Sequence, residues 1–228
     1  MTGSTTPSVF LSVQAAYDRW APAYDEADNP MVFVARHALG AMAPALRGRS
    51  VVEFGCGTGQ NLSLLRAWGA GPLCGFDLSA GMLAAARARD PLLRLWRQDM
   101  AQPVPLADAR ADAVLFSLTL EHVADPRPPL AEARRLLRPG GRVLVLEIHP
   151  WLALAGVGAH FQDGEREVRM PTVAHDIADY LNSFAACGLR VEACREWRPR
   201  DLDQPVPARV MKRGPDMPIL IAFTASAT

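Results

Sequence analysis

Apolar and polar positions along this chain fall into two kinds of block that take turns. Nearly continuous apolar runs occur at residues 50–54, 73–76, 93–97, 113–117 and 142–148. Between them, residues 60–68, 81–89 and 129–137 carry their apolar side chains at helical spacing. A strand that is apolar throughout is buried on both faces, so the repeat predicts a parallel sheet with helices on both sides. Pro139-Gly140-Gly141 predicts a stop and turn before the fifth strand. Upstream, residues 9–20 and 30–46 read as helices, the second closed by Gly48, after an unstructured polar start at residues 2–8. Downstream, a helix over 173–187 ends at Gly188. Two strands follow, at 189–197 and 217–224, with no helix between them, which predicts an appended antiparallel hairpin. Residues 151–171 fit neither sheet nor covering helix. Their Asp163-Gly164 turn between extended arms suggests a lid inserted after the fifth strand.

The pattern therefore describes one α/β domain. It comprises an N-terminal helical cap (1–48), a cofactor-binding core (49–150), the lid (151–172) and a C-terminal helix with its hairpin (173–228). The 228 residues, half of them hydrophobic, suffice for one sizeable core. Formal net charge is zero, so no overall field gathers nucleic acid or an anionic membrane, and neither is expected as a partner. Lys212 is the only lysine among the 24 basic residues, a compositional bias rather than a phosphate-binding surface. No apolar run reaches the ~20 residues of a membrane span. Cys56, Cys74, Cys187 and Cys194 lack metal-site or disulfide spacing, and a cytoplasmic location is expected. The sequence leaves the oligomeric state open.

Candidate chemistry begins at Glu53-Phe54-Gly55-Cys56-Gly57-Thr58-Gly59. A strand that ends in glycines and opens a helix brings bare backbone N–H groups close to a ligand. Gln60 stands where a dinucleotide fingerprint would have a small residue. Asp77 ends the second strand, where a carboxylate accepts from ribose hydroxyls. Asp99-Met100 follows the third, suited to an adenine edge. Glu53 ends the first strand, placed to orient the glycine loop or meet an ammonium. The three acids share the sheet edge at which open α/β folds bind ligands.

With these features the sequence resembles the class I S-adenosylmethionine-dependent methyltransferase family, in its small-molecule branch. Val51–Gly59 is similar to the family's first motif, and Gly75-Phe76-Asp77-Leu78-Ser79 with Met82-Leu83 to its second. Gln98-Asp99-Met100 resembles the adenine-contacting motif, and Leu136–Gly141 the turn before the fifth strand. Tyr17-Asp18 and Tyr24-Asp25 match a recurrent N-terminal motif. The resemblance implies a Rossmann-like seven-stranded sheet of order 3-2-1-4-5-7-6 with strand 7 antiparallel, and S-adenosyl-L-methionine as cofactor. It further implies that Gly55, Cys56, Gly57, Thr58 and Gly59 line the methionine part, with Asn61 at the start of the first helix. Asp77 would hold the ribose, Leu78 and Met82 pack on adenine, and Asp99 and Met100 read its edge. Ser117 and Leu118 would border the sulfonium, and Tyr24 close over the carboxylate end.

Methyl transfer from a sulfonium is an in-line displacement, so alignment and exclusion of water supply most of the catalysis. A base is needed only where the nucleophile keeps its proton. His149 at the fifth strand's end, with His160 and His175 flanking the lid hairpin, are candidates for one base; His122 is a weaker one, and His37 reads as structural. Tyr17, Trp20, Trp151 and Phe161 are candidates for contact with a flat substrate. Ser117-Leu118-Thr119-Leu120 lacks the Asn/Asp-Pro-Pro-aromatic motif of relatives that methylate exocyclic amines. Glu147-Ile148-His149 lacks the acid set of metal-dependent ones, so no metal is expected. The expected acceptor is a small organic molecule, a specialised metabolite methylated at oxygen, nitrogen or carbon. The alternatives are a non-methylating protein that binds the cofactor structurally and, less favoured, a nicotinamide-dependent oxidoreductase.

Overall fold

The structure, a computed structural model, describes residues 7–203 and 205–228. The start expected to be unstructured therefore lies largely outside the described residues. Its end does not: β1 (Ser8–Phe10) is a short strand, and Ser12 caps α1 (Val13–Trp20) by accepting from the Ala15 amide at 3.3 Å. The helix expected from residue 9 thus begins four residues later, because β1 pairs in parallel with a lid strand. α2 (Pro30–Leu46) starts as predicted, with Asn29 accepting from the Met31 amide and proline in the first turn.

The core alternates β2 (Val51–Phe54), α3 (Gln60–Ala67), β3 (Leu73–Asp77), α4 (Ala80–Arg89), β4 (Arg94–Arg97), β5 (Ala111–Ser117), α5 (Arg127–Leu136) and β6 (Leu137–Ile148). Next come α6 (Pro150–Leu154), β7 (His160–Asp163), β8 (Arg166–Arg169), α7 (Ile177–Ala186), β9 (Leu189–Trp197) and β10 (Leu220–Ala227). The large sheet has order β4-β3-β2-β5-β6-β10-β9, and β10 runs antiparallel to both neighbours. In order of appearance within that sheet this is 3-2-1-4-5-7-6, as expected. Pro139-Gly140-Gly141 does turn the chain, but within a strand. Ala111 pairs Leu137 and Ala113 pairs Arg142, so residues 138–141 bulge from β6.

Two apolar clusters fill the sheet's faces. Leu39, Leu62, Leu115 and Leu146 belong to one, and Phe54, Phe116, Phe184 and Phe223 to the other. The ring stack Phe54–Phe116, 5.2 Å between centroids, locks β2 to β5 directly below the glycine turn. A third cluster attaches the lid. β7 and β8 form the predicted hairpin, with Gly164 at φ 60° in its turn, and β1 extends it to three strands. Trp20 of α1 stacks on Phe161 of β7 at 4.7 Å and 9°, beside Val168 and Met170. N-terminal segment and lid therefore pack as one cap over the C-terminal edge of the parallel strands.

Candidate active site

A cavity of about 450 Å³ lies between that cap and the sheet edge. The glycine turn forms its floor. Gly55 and Gly57 hold φ of 66° and 53°, in the left-handed region where a side chain costs about 1–2 kcal/mol. The Asp77 carboxylate binds this turn directly: one oxygen accepts from the Gly57 amide and the other from the Ser79 amide, both at 2.8 Å. Burial raises the Asp77 pKa, opposed by those amides.

The cap is pinned to the floor at two aspartates. Asp18 accepts from Ser79 Oγ at 2.6 Å and from the Gly81 amide at 2.9 Å, which ties α1 to the first turn of α4. Asp25 accepts from Thr58 Oγ1 at 2.7 Å and also meets Gln60 and Arg89. Tyr24 is thereby held at the cavity wall, along with Leu78, Met82, Asp99, Met100, Ser117 and Leu118.

Beneath Tyr24 the cavity continues into a recess of about 50 Å³, bounded by Glu53, Cys56, Thr58, Gln60 and Asn61. Glu53 is 1% exposed; Oε1 accepts from Asn61 Nδ2 at 2.8 Å, and Oε2 has no partner. Burial pushes its pKa to about 8. An unpartnered carboxylate oxygen walled in beside left-handed glycines fits a ligand that carries an ammonium group. The two chambers together hold the expected cofactor-loop residues except Gly59. Its built Cβ would meet Leu93 and Ala86, so Gly59 serves helix packing.

At the roof, Tyr17 and His122 both line the cavity, with Tyr17 Oη 2.8 Å from His122 Nε2. His122 Nδ1 lies 3.0 Å from the Pro171 carbonyl, which only accepts, so Nδ1 carries the proton and Nε2 accepts from Tyr17. Burial lowers the His122 pKa, so the ring is neutral near pH 7, and burial raises that of Tyr17 well above the usual range. The His122 loop is fastened to residues 171–175 at two further points. The Val173 amide donates to the Glu121 carbonyl at 2.7 Å, and His175 Nε2 donates to the Val123 carbonyl at 2.9 Å. From below, Glu147 Oε1 accepts from the Thr119 and Leu120 amides at 2.9 and 2.8 Å. That grip holds Leu118 at φ 55°, a conformation a leucine seldom adopts, at the cavity edge.

The other expected acceptor-side residues are not brought together. His149 is fully buried; it accepts from the Trp151 amide and donates to Glu196 Oε1 at 3.0 Å, as the cap of α6. His160 stands on the lid's exposed side, donating to the Gly158 carbonyl at 2.9 Å. His175 is the buried fastener just described. Neither Trp20 nor Phe161 lines the cavity, since they stack on each other, and Trp151 is 62% exposed. His37 lies edge-on to Trp197. Of the aromatics and histidines singled out for acceptor contact or proton transfer, Tyr17 and His122 face the cavity. Asp18 and Asp25, which sequence reasoning did not assign, were visible only as the acids of the paired Tyr-Asp motif. Among the described residues no cluster of histidine, cysteine, aspartate or glutamate has metal-binding geometry, and no helix is long and apolar enough to cross a membrane.

Comparison with known proteins agrees with this geometry. Residues 52–145 match the family model of a methyltransferase domain. Malonyl-[acyl-carrier protein] O-methyltransferase of Hahella chejuensis is 31% identical over 190 residues, covering 82% of this chain and 64% of the relative. A 2-phytyl-1,4-naphtoquinone methyltransferase of Thermosynechococcus vestitus is 34% identical over 149 residues, covering 61% and 66%. The chain thus spans just under two thirds of either relative. The methyltransferase chain solved with the Haloferax volcanii Trm112 methyltransferase activator superposes with TM-score 0.74 and 25% identity, over 95% of this chain and 97% of that one. Glycine turn, strand-end acids, sheet order and these similarities converge: residues 52–145 are a methyltransferase domain, and the chain has the fold of the class I S-adenosylmethionine-dependent methyltransferases.

Proposed function

We propose that the chain transfers a methyl group from S-adenosylmethionine to a small organic acceptor. The observation that carries the reading is the cavity itself, which joins a glycine floor and a ribose-type acid to a capped roof bearing a single tyrosine–histidine pair. The cofactor supplies an activated methyl group on sulfur when bound. Asp77 would accept from the ribose hydroxyls, Asp99 and Met100 border the adenine, and Glu53 take the ammonium end. Leu118 and Ser117, fixed by Glu147, would set the line of approach, while the pinned cap excludes water.

An acceptor O–H or N–H next to Tyr17 would pass its proton to the Tyr17 oxygen as Tyr17 passes its own to His122 Nε2. The resulting imidazolium would keep its Nδ1–H on the Pro171 carbonyl. The apolar walls given by Val13, Val123 and Pro128 support an uncharged acceptor face. By their names, one relative acts on a malonyl carrier protein and the other on a phytyl naphthoquinone, compatible with an oxygen or carbon acceptor.

A panel of hydroxylated, amino and quinol-type small molecules, monitored for S-adenosylhomocysteine release, tests the reading. Turnover with at least one class supports it. Tight cofactor binding without release across the panel would favour a structural, non-methylating role. Once an acceptor is known, His122→Ala and Tyr17→Phe are expected to lower kcat on the order of a hundredfold for an O–H or N–H acceptor, with cofactor Kd little changed. A loss confined to KM would count against proton transfer.

A further inference from the structure

Each proton that the Tyr17–His122 pair takes from an acceptor leaves a positive charge on a ring whose burial disfavours it. The charge balance is fixed: the sulfonium gives up its own as the acceptor O–H or N–H bond breaks, and the proton ends on His122 Nε2. A buried cation is costly unless a counter-charge faces it. Glu121 Oε1 stands 3.9 Å from His122 Nε2, and the two side chains are only 9% and 5% exposed. They are neighbours on the 3₁₀ turn Leu120–His122, which Glu147 holds from below through the Thr119 and Leu120 amides. A backbone hydrogen bond from Ala159, in the lid just before β7, favours the ionised form of Glu121. Glu147 of β6 opposes that ionisation, and Tyr17 and Tyr24 of the cap and Tyr180 of α7 feel the Glu121 charge. Among the described residues no arginine or lysine pairs with Glu121, so its one ionic partner is His122.

We infer that Glu121 is a positioning residue for the base: its carboxylate, set between the lid and His122, supplies the counter-charge that lets Nε2 take the proton from Tyr17. Glu121 does not line the cavity, so it acts through His122 rather than on the acceptor. At 3.9 Å its oxygen is beyond hydrogen-bond reach, which leaves Nε2 free to accept from the Tyr17 hydroxyl in the neutral resting pair. Because the lid amide steadies the same carboxylate, the lid contributes to the base without touching the acceptor. Burial, with the Glu147 charge, raises Glu121 to about 8, so the counter-charge appears as pH rises through that value. The inference rests on the proposed transfer to an O–H or N–H acceptor.

NMR of the histidine ring nitrogens, in wild type saturated with S-adenosylhomocysteine, tests the contact without any acceptor. The His122 signals should shift with a midpoint at about pH 8, above the range in which its own lowered pKa titrates, and Glu121→Gln should abolish that shift. Kinetics then test its use, with an O–H or N–H acceptor drawn from the panel above. Glu121→Gln should lower kcat about ten- to a hundredfold and remove the rise in kcat through about pH 8, with acceptor KM and S-adenosylhomocysteine Kd within about twofold. Glu121→Asp should recover part of the lost kcat. A wild-type His122 ring that does not respond near that pH, an unchanged kcat and pH profile in Glu121→Gln, or a loss confined to KM would overturn the inference. No turnover across the panel would overturn the transfer reading and this inference with it, whereas the ring titration fails alone if only the Glu121 contact is wrong, which separates the two failures.

Discussion

Gly55 and Gly57 both hold positive φ, yet an added methyl group would meet different surroundings at the two positions. At Gly55 a built Cβ falls on the Thr119 hydroxyl, whose own amide is held by Glu147; at Gly57 it meets nothing within 4 Å. Gly55→Ala is therefore expected to cost about 2–4 kcal/mol of stability, the sum of left-handed strain and overpacking. Gly57→Ala should cost only about 1–2 kcal/mol but place its methyl in the cavity proposed for the cofactor, so affinity is expected to fall far more than stability. Melting curves with and without S-adenosylhomocysteine check both, and equal stability losses would contradict the distinction. These glycines, like Asp77, were legible in the sequence because their chemistry follows from the strand end that carries them. Histidine ranking was not legible, because whether a ring reaches the cavity depends on how distant segments meet. His149 has a carboxylate 47 residues away, and His122 owes its tautomer to Pro171.

At the scale of elements, the sheet order could be read from alternating blocks and the helix-free tail. The origin of the cap could not. β1 is three residues long and forms only because β8 offers an edge, so local pattern assigned residues 9 and 10 to the helix. Trp20 and Phe161 looked like substrate aromatics from their segments, and became the joint between α1 and lid once those segments packed. Since the cap touches the floor through Asp18 and Asp25, it should respond as a unit. Asp25→Ala removes the acceptor for Thr58, Gln60 and Arg89. Faster amide exchange is expected across residues 8–28, with little change in β2 or β5, and bound S-adenosylhomocysteine should restore part of the protection. Unchanged exchange in the cap would show that its apolar joint alone holds it.

For the whole molecule, three buried glutamates at the active edge couple stability to pH. Burial raises Glu53 and Glu121 to about 8, the latter with help from the Glu147 charge, and raises Glu147 to about 7, against an ordinary value of 4.5. An acid whose folded pKa lies above its unfolded one stabilises fully below the unfolded value, and that contribution is lost as pH rises through the folded value. The ligand-free protein should therefore lose stability from about pH 4.5 to pH 8, and Glu147→Gln should flatten part of the slope. A melting temperature that rises across this window would contradict the burial of these acids. The proposed methyl transfer requires the cavity to be a site for an adenosyl sulfonium rather than for a dinucleotide. Calorimetric titration with S-adenosylhomocysteine and with NADH, on wild type and Asp77→Asn, tests that most directly. We predict one S-adenosylhomocysteine per chain, weakened about tenfold or more in the variant, and no binding of NADH. NADH binding as tight as that of S-adenosylhomocysteine, or Asp77→Asn without effect, would contradict it.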